Sequence, residues 1–212
     1  MADNYLEKRY EEVFAKGAGA AKGPQRPGLD NLLRRNRSYR GYDASYHVHP
    51  LQMKAILSVN TLTASGMNAQ RLRFHAVTEA EEAAIVLQHI KLGAALPELH
   101  LPFPGTEPGA FVIVCATTPE DAILDIDLGI SLQSMLLKAV EIGLGGIIVR
   151  NYDPQKLQAA LGLPLAPVAV LAIGRPAETV RLVEVSAGDS LKYYRTDGTH
   201  CVPKIKIDDL MI

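Results

Sequence analysis

Residues 121–142 limit the folds open to this chain more than any other stretch. They read as its longest helix, with apolar residues at Ile126, Ile130, Met135, Leu136 and Ala139 and few charges after Asp127. A helix this apolar belongs at the centre of a core or at an interface. Gly143-Leu144-Gly145-Gly146 follows, and Gly145–Val149 reads as a strand. A dinucleotide-binding fingerprint needs the opposite order, a strand before its glycines and a helix after, so that fold is excluded. Gly143 suits a helix C-cap and tight turn.

Around this centre the chain alternates helices and strands. The continuous apolar run AFVIVCAT at 110–117 has the pattern of a buried central strand. Residues 167–173 make a last central strand, closed by Gly174-Arg175-Pro176, and 71–78 alternate as a strand. Asp30 is expected to cap a helix through about Arg37, and a second helix runs from Pro50 to about Thr61. Thr78-Glu79-Ala80-Glu81 resembles a capping box opening a helix to about Leu92, and Asp153-Pro154 opens another that ends near Leu161-Gly162. Residues 3–16 read as a short amphipathic helix, and 17–28 as a Gly- and Pro-rich linker. This divides the chain into 1–29 and a single domain, 30–212. The loop 96–109, with four prolines, is too long for a simple connector. The tail from about 189 is expected to wrap over a partner surface. The element order leaves α/β and α+β both open, with a sheet between helices.

A formal net charge of −1 gives no global basic field for nucleic acid, so any anion site must come from a local cluster. No apolar run approaches a membrane span. The two cysteines build neither a disulfide framework nor a zinc site. With an N-terminus unlike a signal peptide, they predict a reduced, cytoplasmic setting. His47 and His49 flank one residue but have no acidic or Cys partner nearby, so no metal is expected. His100 stands in the long loop. Asp125 and Asp127 read as an acidic pair at a helix N-terminus rather than a catalytic dyad. No GxSxG, HExxH or GxxxxGK[ST] occurs.

Two segments carry binding chemistry. Arg34-Arg35-Asn36-Arg37-Ser38-Tyr39-Arg40 offers paired guanidinium hydrogen bonds and a hydroxyl to a phosphate, although a solvated basic helix end looks the same. Thr63-Ala64-Ser65-Gly66-Met67-Asn68-Ala69-Gln70 can lay amides, which both donate and accept, along a planar heterocycle. A polar helix-to-strand turn is the simpler alternative.

In combination and in this order, these elements resemble the nitroreductase family of FMN proteins. Arg37-Ser38-Tyr39-Arg40-Gly41-Tyr42 matches its RxSxR-type opening, and Ala64-Ser65-Gly66-Met67-Asn68-Ala69-Gln70-Arg71-Leu72 its PSxxNxQPW-type turn. Asp127-Leu128-Gly129 through Gly143-Leu144-Gly145-Gly146 matches its central helix and GLG turn. Gly174-Arg175-Pro176 and the tail Tyr194-Arg195…Val202-Pro203-Lys204 complete the match. Four residues depart: Asn36 where Arg is frequent, Ala64 for the turn's Pro, and Arg71-Leu72 for Pro-Trp. The last three fall on the substrate pocket rather than the flavin.

The resemblance implies an α+β fold, a three-layer α/β/α sandwich with a mixed, largely antiparallel sheet. It implies a homodimer with FMN at the subunit interface. Arg37, Ser38 and Arg40 would hold the phosphate and the pyrimidine side of the flavin, and Ser65, Met67, Asn68 and Gln70 would line the ring. Gly146, Arg150 and Asn151 would pass the flavin edge. Lys204 and Lys206, in preference to Arg195, would complete the phosphate site. The implied activity is a ping-pong cycle in which NADH or NADPH reduces the flavin and a nitroaromatic, quinone or flavin acceptor reoxidises it, with no catalytic side-chain acid or base. The alternatives are a non-catalytic flavin-binding dimer and a flavin enzyme of other chemistry, such as dehalogenation or flavin destruction.

Overall fold

The computed structural model describes residues 28–93 and 101–212. The expected N-terminal helix, the linker before Gly28 and His100 lie outside them.

Four strands make the central sheet: β1 (Leu72–Val77), β2 (Ala110–Ala116), β3 (Gly145–Val149) and β4 (Pro167–Gly174). They lie in the order β1-β2-β4-β3, and every pairing is antiparallel. All residues of β2 and β4 are buried because helices cover both faces. The side-chain alternation of a strand then divides the core in two. Val112, Val114, Leu171 and Ile173 pack with α2 (Pro50–Ser58) and α4 (Ala122–Glu141). Phe111, Ile113, Val170 and Ala172 pack with α3 (Ala80–His89) and α5 (Pro154–Leu161). The three-layer sandwich is therefore present.

Local chemistry sets most helix ends. Asp121 caps α4 by accepting from Leu124 N at 2.7 Å. Asp153 caps α5 through Gln155 N and Lys156 N, and Gly162, at φ +61°, ends it. His49 starts α2: its Nδ1 accepts from Leu51 N, while Gln52 Oε1 accepts from His49 N. Gly162 has open space around an added Cβ, so Gly162→Ala meets only the left-handed backbone. It should lower stability by about 1 kcal/mol in a thermal melt.

Three boundaries differ from expectation. Helix α1 (Leu29–Arg35) starts before Asp30, which sits in its first turn rather than at the cap. Its end falls at Arg35, since Asn36 is extended, so Arg37 leaves the helix. Glu79, without a side-chain bond, is the N-cap of α3, so the box at Thr78 does not form, and α3 ends at His89.

The tail returns onto its own chain. β5 (Thr179–Val185), β6 (Tyr194–Thr196) and β7 (Thr199–Ile205) form a separate sheet in the order β5-β7-β6. β5 and β7 are parallel, and β6 and β7 antiparallel. The mixed character expected of one sheet thus resides in this second, smaller one. Beyond it Ile207, Leu210 and Met211 remain exposed.

Candidate functional site

The end of α1 sends the arginine segment alongside β3, where Ser38 forms a bridge with Gly146 and Tyr39 N donates to Gly146 O. Arg37, Ser38 and Arg40 thereby line a cavity of about 290 Å³, together with Gln133 and Leu136 of α4 and Lys204 of β7. Arg37 and Arg40 each keep a buried Nε with no hydrogen-bond partner among the described residues. Burial pushes the Arg37 guanidinium below its ordinary pKa. Arg40 Nη1 donates to Ser38 O at 2.9 Å, and its guanidinium lies 5.4 Å from the centre of the Tyr193 ring.

Glu178 holds this segment in place. Its carboxylate accepts from the main-chain N–H of Arg40 and Gly41 and from Arg195 Nη2, the last at 2.8 Å. Arg195 is therefore engaged away from the cavity. Lys206 is 3.7 Å from Asp209 and is not among the lining residues. His200, which sequence reasoning missed, also lines the cavity; it is buried edge-on to Tyr193, 5.1 Å between ring centres. Burial, then the Arg40 charge, lowers its pKa. His200, Val202 and Lys204 recur at the period of a strand face, a signal readable once β7 is recognised.

A neighbouring cavity of about 300 Å³ shares Arg40, Ile148 and Tyr193 with the first and adds Lys91, Arg150 and Asn151. The Arg150 guanidinium is engaged with Glu120 at 2.9 Å and Val168 O at 2.7 Å. Gly146 is buried and lines neither cavity. A Cβ there would strike the Ala172 carbonyl oxygen and stand 2.9 Å from Leu136 and Ile173, so strand packing alone requires the glycine.

Ser65 and Gln70 line a different cavity, of about 320 Å³, with Asn60, Arg71, Asp127 and Ser131. Met67 and Asn68 lie on the same turn but do not line it, and Met67 is exposed. Met67, Asn68 and Gln70 all have positive φ, at +52°, +53° and +47°. Each such residue costs about 1–3 kcal/mol, and such strain concentrates at functional sites. Besides the main-chain bonds from Asn68 N to Ser65 O and from Ala69 N to Gly66 O, side-chain bonds hold the turn. Gly66 N donates to Asp127 Oδ1 at 2.7 Å, Gln70 N to Ser65 Oγ at 3.2 Å, and Gln70 Nε2 to Asn68 Oδ1 at 3.1 Å.

Of the N-terminal acidic pair expected, Asp125 does sit in the first turn of α4, while Asp127 has another role. Asp121 is the cap, Asp125 stays exposed, and Asp127, only 4% exposed, clamps the turn. Arg71 grips Asp121 with two nitrogens, at 2.7 and 3.0 Å. Those bonds, then the Leu124 N–H, draw the Asp121 carboxyl from 3.8 to about 2. A depressed carboxylate pKa stabilises the fold above its unfolded value and loses that contribution as pH falls through the folded value. An NMR titration of Asp121 should show a midpoint near pH 2, with the cap weakening between about pH 4 and 2.

Helix α4 serves both cavities, Gln133 and Leu136 in one, Asp127 and Ser131 in the other. Ile126 and Ile130, expected among its apolar positions, turn outward, 63% and 37% exposed, and with Ile123 form an apolar stripe. Leu124, Leu128, Leu132 and Met135 face the core instead. No helix among the described residues is long and apolar enough to cross a membrane.

The chain is thus an α+β sandwich with a cavity lined by Arg37, Arg40 and Lys204 beside its central helix. The model of the nitroreductase family matches residues 33–175, and the chain belongs to that family. Solved structures share its fold. A nitroreductase family protein from Clostridium difficile 630 is 23% identical, at a TM-score of 0.58 over 72% of this chain and 86% of that one. An FMN-dependent nitroreductase from Clostridium difficile R20291 is 20% identical, at 0.57 over 71% and 88%. An Exiguobacterium sibiricum 255-15 protein, assigned as a nitroreductase and crystallised in complex with FMN, is 19% identical, at 0.59 over 74% and 92%. Comparison with curated proteins finds no match.

Proposed function

We propose that this chain is an FMN-dependent oxidoreductase that takes electrons from NADH or NADPH and passes them to a nitroaromatic, quinone or flavin acceptor. The observation that carries the reading is the convergence of Arg37, Arg40 and Lys204 on one cavity, with two buried guanidinium nitrogens lacking partners among the described residues. A buried donor without an acceptor is costly, and a phosphate supplies several acceptor oxygens. The residues present therefore fit the anionic end of FMN. When bound, the flavin supplies the redox chemistry.

The protein's part is to bind and orient. Arg37, Ser38, Arg40 and Lys204 hold the phosphate end, with Lys206 at the margin. Arg40, fixed through Glu178 and Tyr193, is placed to stabilise negative charge on the ring system. Ser65, Asn68 and Gln70 would present polar groups, and Met67 its thioether side chain, from a turn that its bonds to Asp127 and Ser65 hold in one shape. Gly146 lets β3 pass close, bringing Arg150 and Asn151 to the flavin edge.

Two features support a homodimer. The expected residues are divided between separate cavities, each near the small end of the range for ligand sites, about 300–1,000 Å³. The exposed stripe on α4 lies on the helix that lines both, where a second copy would complete the sites. A cytoplasmic setting and the ping-pong order belong to the same proposal.

The deciding experiment is the absorption spectrum of purified protein, followed by NADH and NADPH oxidation with quinone and nitroaromatic acceptors. Flavin bands and alternating half-reactions are expected. Colourless protein with no affinity for added FMN would refute the reading. Arg71 engages Asp121 where the family has Pro-Trp, and this altered wall favours one alternative, a flavin-binding dimer without reductase activity. Yellow protein that oxidises neither donor would establish it.

A further inference from the structure

His200 is only 2% exposed, and its Nδ1 is buried with no hydrogen-bond partner among the described residues. The ring lines the 290 Å³ cavity with Arg37, Arg40 and Lys204. Its neighbour across the ladder on β5 is Val180, and Val202 follows it on the same face of β7. Strand packing alone would favour an apolar residue there, since an unpaired buried polar atom is costly. Around the ring stand Arg37 and Arg40 from the segment after α1, Tyr193 just before β6, Arg195 on β6, Lys204 on β7 and Glu178 just before β5. Histidine is the only residue type in this group whose ordinary pKa lies between pH 5 and 8. Burial, then the Arg40 charge, holds the His200 pKa below its ordinary value, so in the unliganded protein the ring is neutral at pH 7.

We propose that His200 is a conditional cation of the phosphate site: its Nδ1 takes a proton from solvent as a phosphate group enters, and donates a hydrogen bond to it. The anion supplies both things the ring lacks, an acceptor oxygen and a negative charge to offset Arg40. A fourth permanent cation would repel Arg40 in the unliganded protein, whereas an imidazole carries its charge only while the anion is present. The sign follows from linkage. Occupancy raises the pKa of the ring, so between the unliganded and occupied values binding takes up a proton. Affinity for the anion is full below the unliganded value and is lost as pH rises through the occupied one, by up to about tenfold per pH unit. The inference rests on the phosphate reading of this cavity, but not on the electron-transfer reading.

The test uses the whole, flavin-free protein. Sulfate is the first probe, because it does not titrate near neutral pH and any pH dependence then belongs to the protein; FMN is the second. Calorimetry in buffers of different ionisation enthalpy should show proton uptake with either anion near pH 7. NMR of the imidazole signals should show the His200 midpoint rising by about one unit or more on binding. His200→Asn places an amide near the position of Nδ1 but cannot titrate. Its sulfate affinity should be nearly flat with pH and should match the parent's only at alkaline pH. The two measurements on the unmodified protein stand even if this variant does not fold. FMN binding without proton uptake, an unmoved His200 midpoint, or a folded His200→Asn variant with the parent's pH profile overturns the inference and leaves the FMN reading intact. Proton-coupled sulfate binding with no affinity for FMN would uphold the inference and sink the FMN reading. Binding of neither anion overturns both.

Discussion

Replacing Arg37 and Arg40 together with alanine should weaken FMN retention more than a hundredfold while leaving the fold intact. Hydrogen bonds to charged groups contribute about 1.5–3 kcal/mol each, so losing two guanidinium groups removes about 3 kcal/mol or more. Both residues sit in an extended segment outside α1, and neither side chain belongs to the apolar core. Their structural bonds are few: Arg37 Nη2 to Leu33 O and Arg40 Nη1 to Ser38 O. The bonds to Glu178 come from main-chain N–H groups and survive the change. Fluorescence titration with FMN reads the loss, and circular dichroism checks the fold. Affinity within threefold of the parent's would remove both arginines from the phosphate site. Arg37→Ala with Ser38→Ala should show a smaller loss, since Arg40 and Lys204 remain.

Gly146→Ala should destabilise the protein by about 3 kcal/mol. Overpacking a core ordinarily costs 1–3 kcal/mol, and this position belongs at the upper end. The obstruction on one side is the Ala172 carbonyl of the paired strand, which cannot rotate away as a side chain can. Leu136 and Ile173 close the other sides. The effect should reach the cavity too, because the Ser38 segment is bridged to Gly146. Denaturant melts should show an earlier midpoint, and FMN binding by the folded fraction should weaken. A melt matching the parent's would mean that β3 and β4 separate without cost.

What could be read from the sequence follows the range of the interactions. Both central strands announce themselves because each is apolar over its own length, and the long helix because its apolar residues outnumber its charges. The same locality exposed the cap at Asp153 and the break at Gly162. β5 and β7 escaped because a parallel pair is stabilised by partners twenty residues apart, and their half-buried patterns are weak singly. Glu178 had no local signal, since its partner Arg40 is 138 residues away. Asp127 was misassigned for the same reason. Its neighbours suggested a helix terminus, while the group it binds, Gly66, lies 61 residues earlier. The arginine segment and the Ser65–Gln70 turn were found as chemistry, but their division between separate cavities is a property of the folded chain.

The grip of Arg71 on Asp121 has a practical consequence for anyone redesigning this protein. Arg71 is a wall of the Asp127 cavity, and Asp121 is the cap of the helix that forms the floor of both cavities. Libraries that vary position 71 alone to change selectivity will also loosen the start of α4, so improved variants will be discarded for poor expression. Varying 71 and 121 as a pair, with capping residues retained at 121, separates the two effects and opens the pocket to selection.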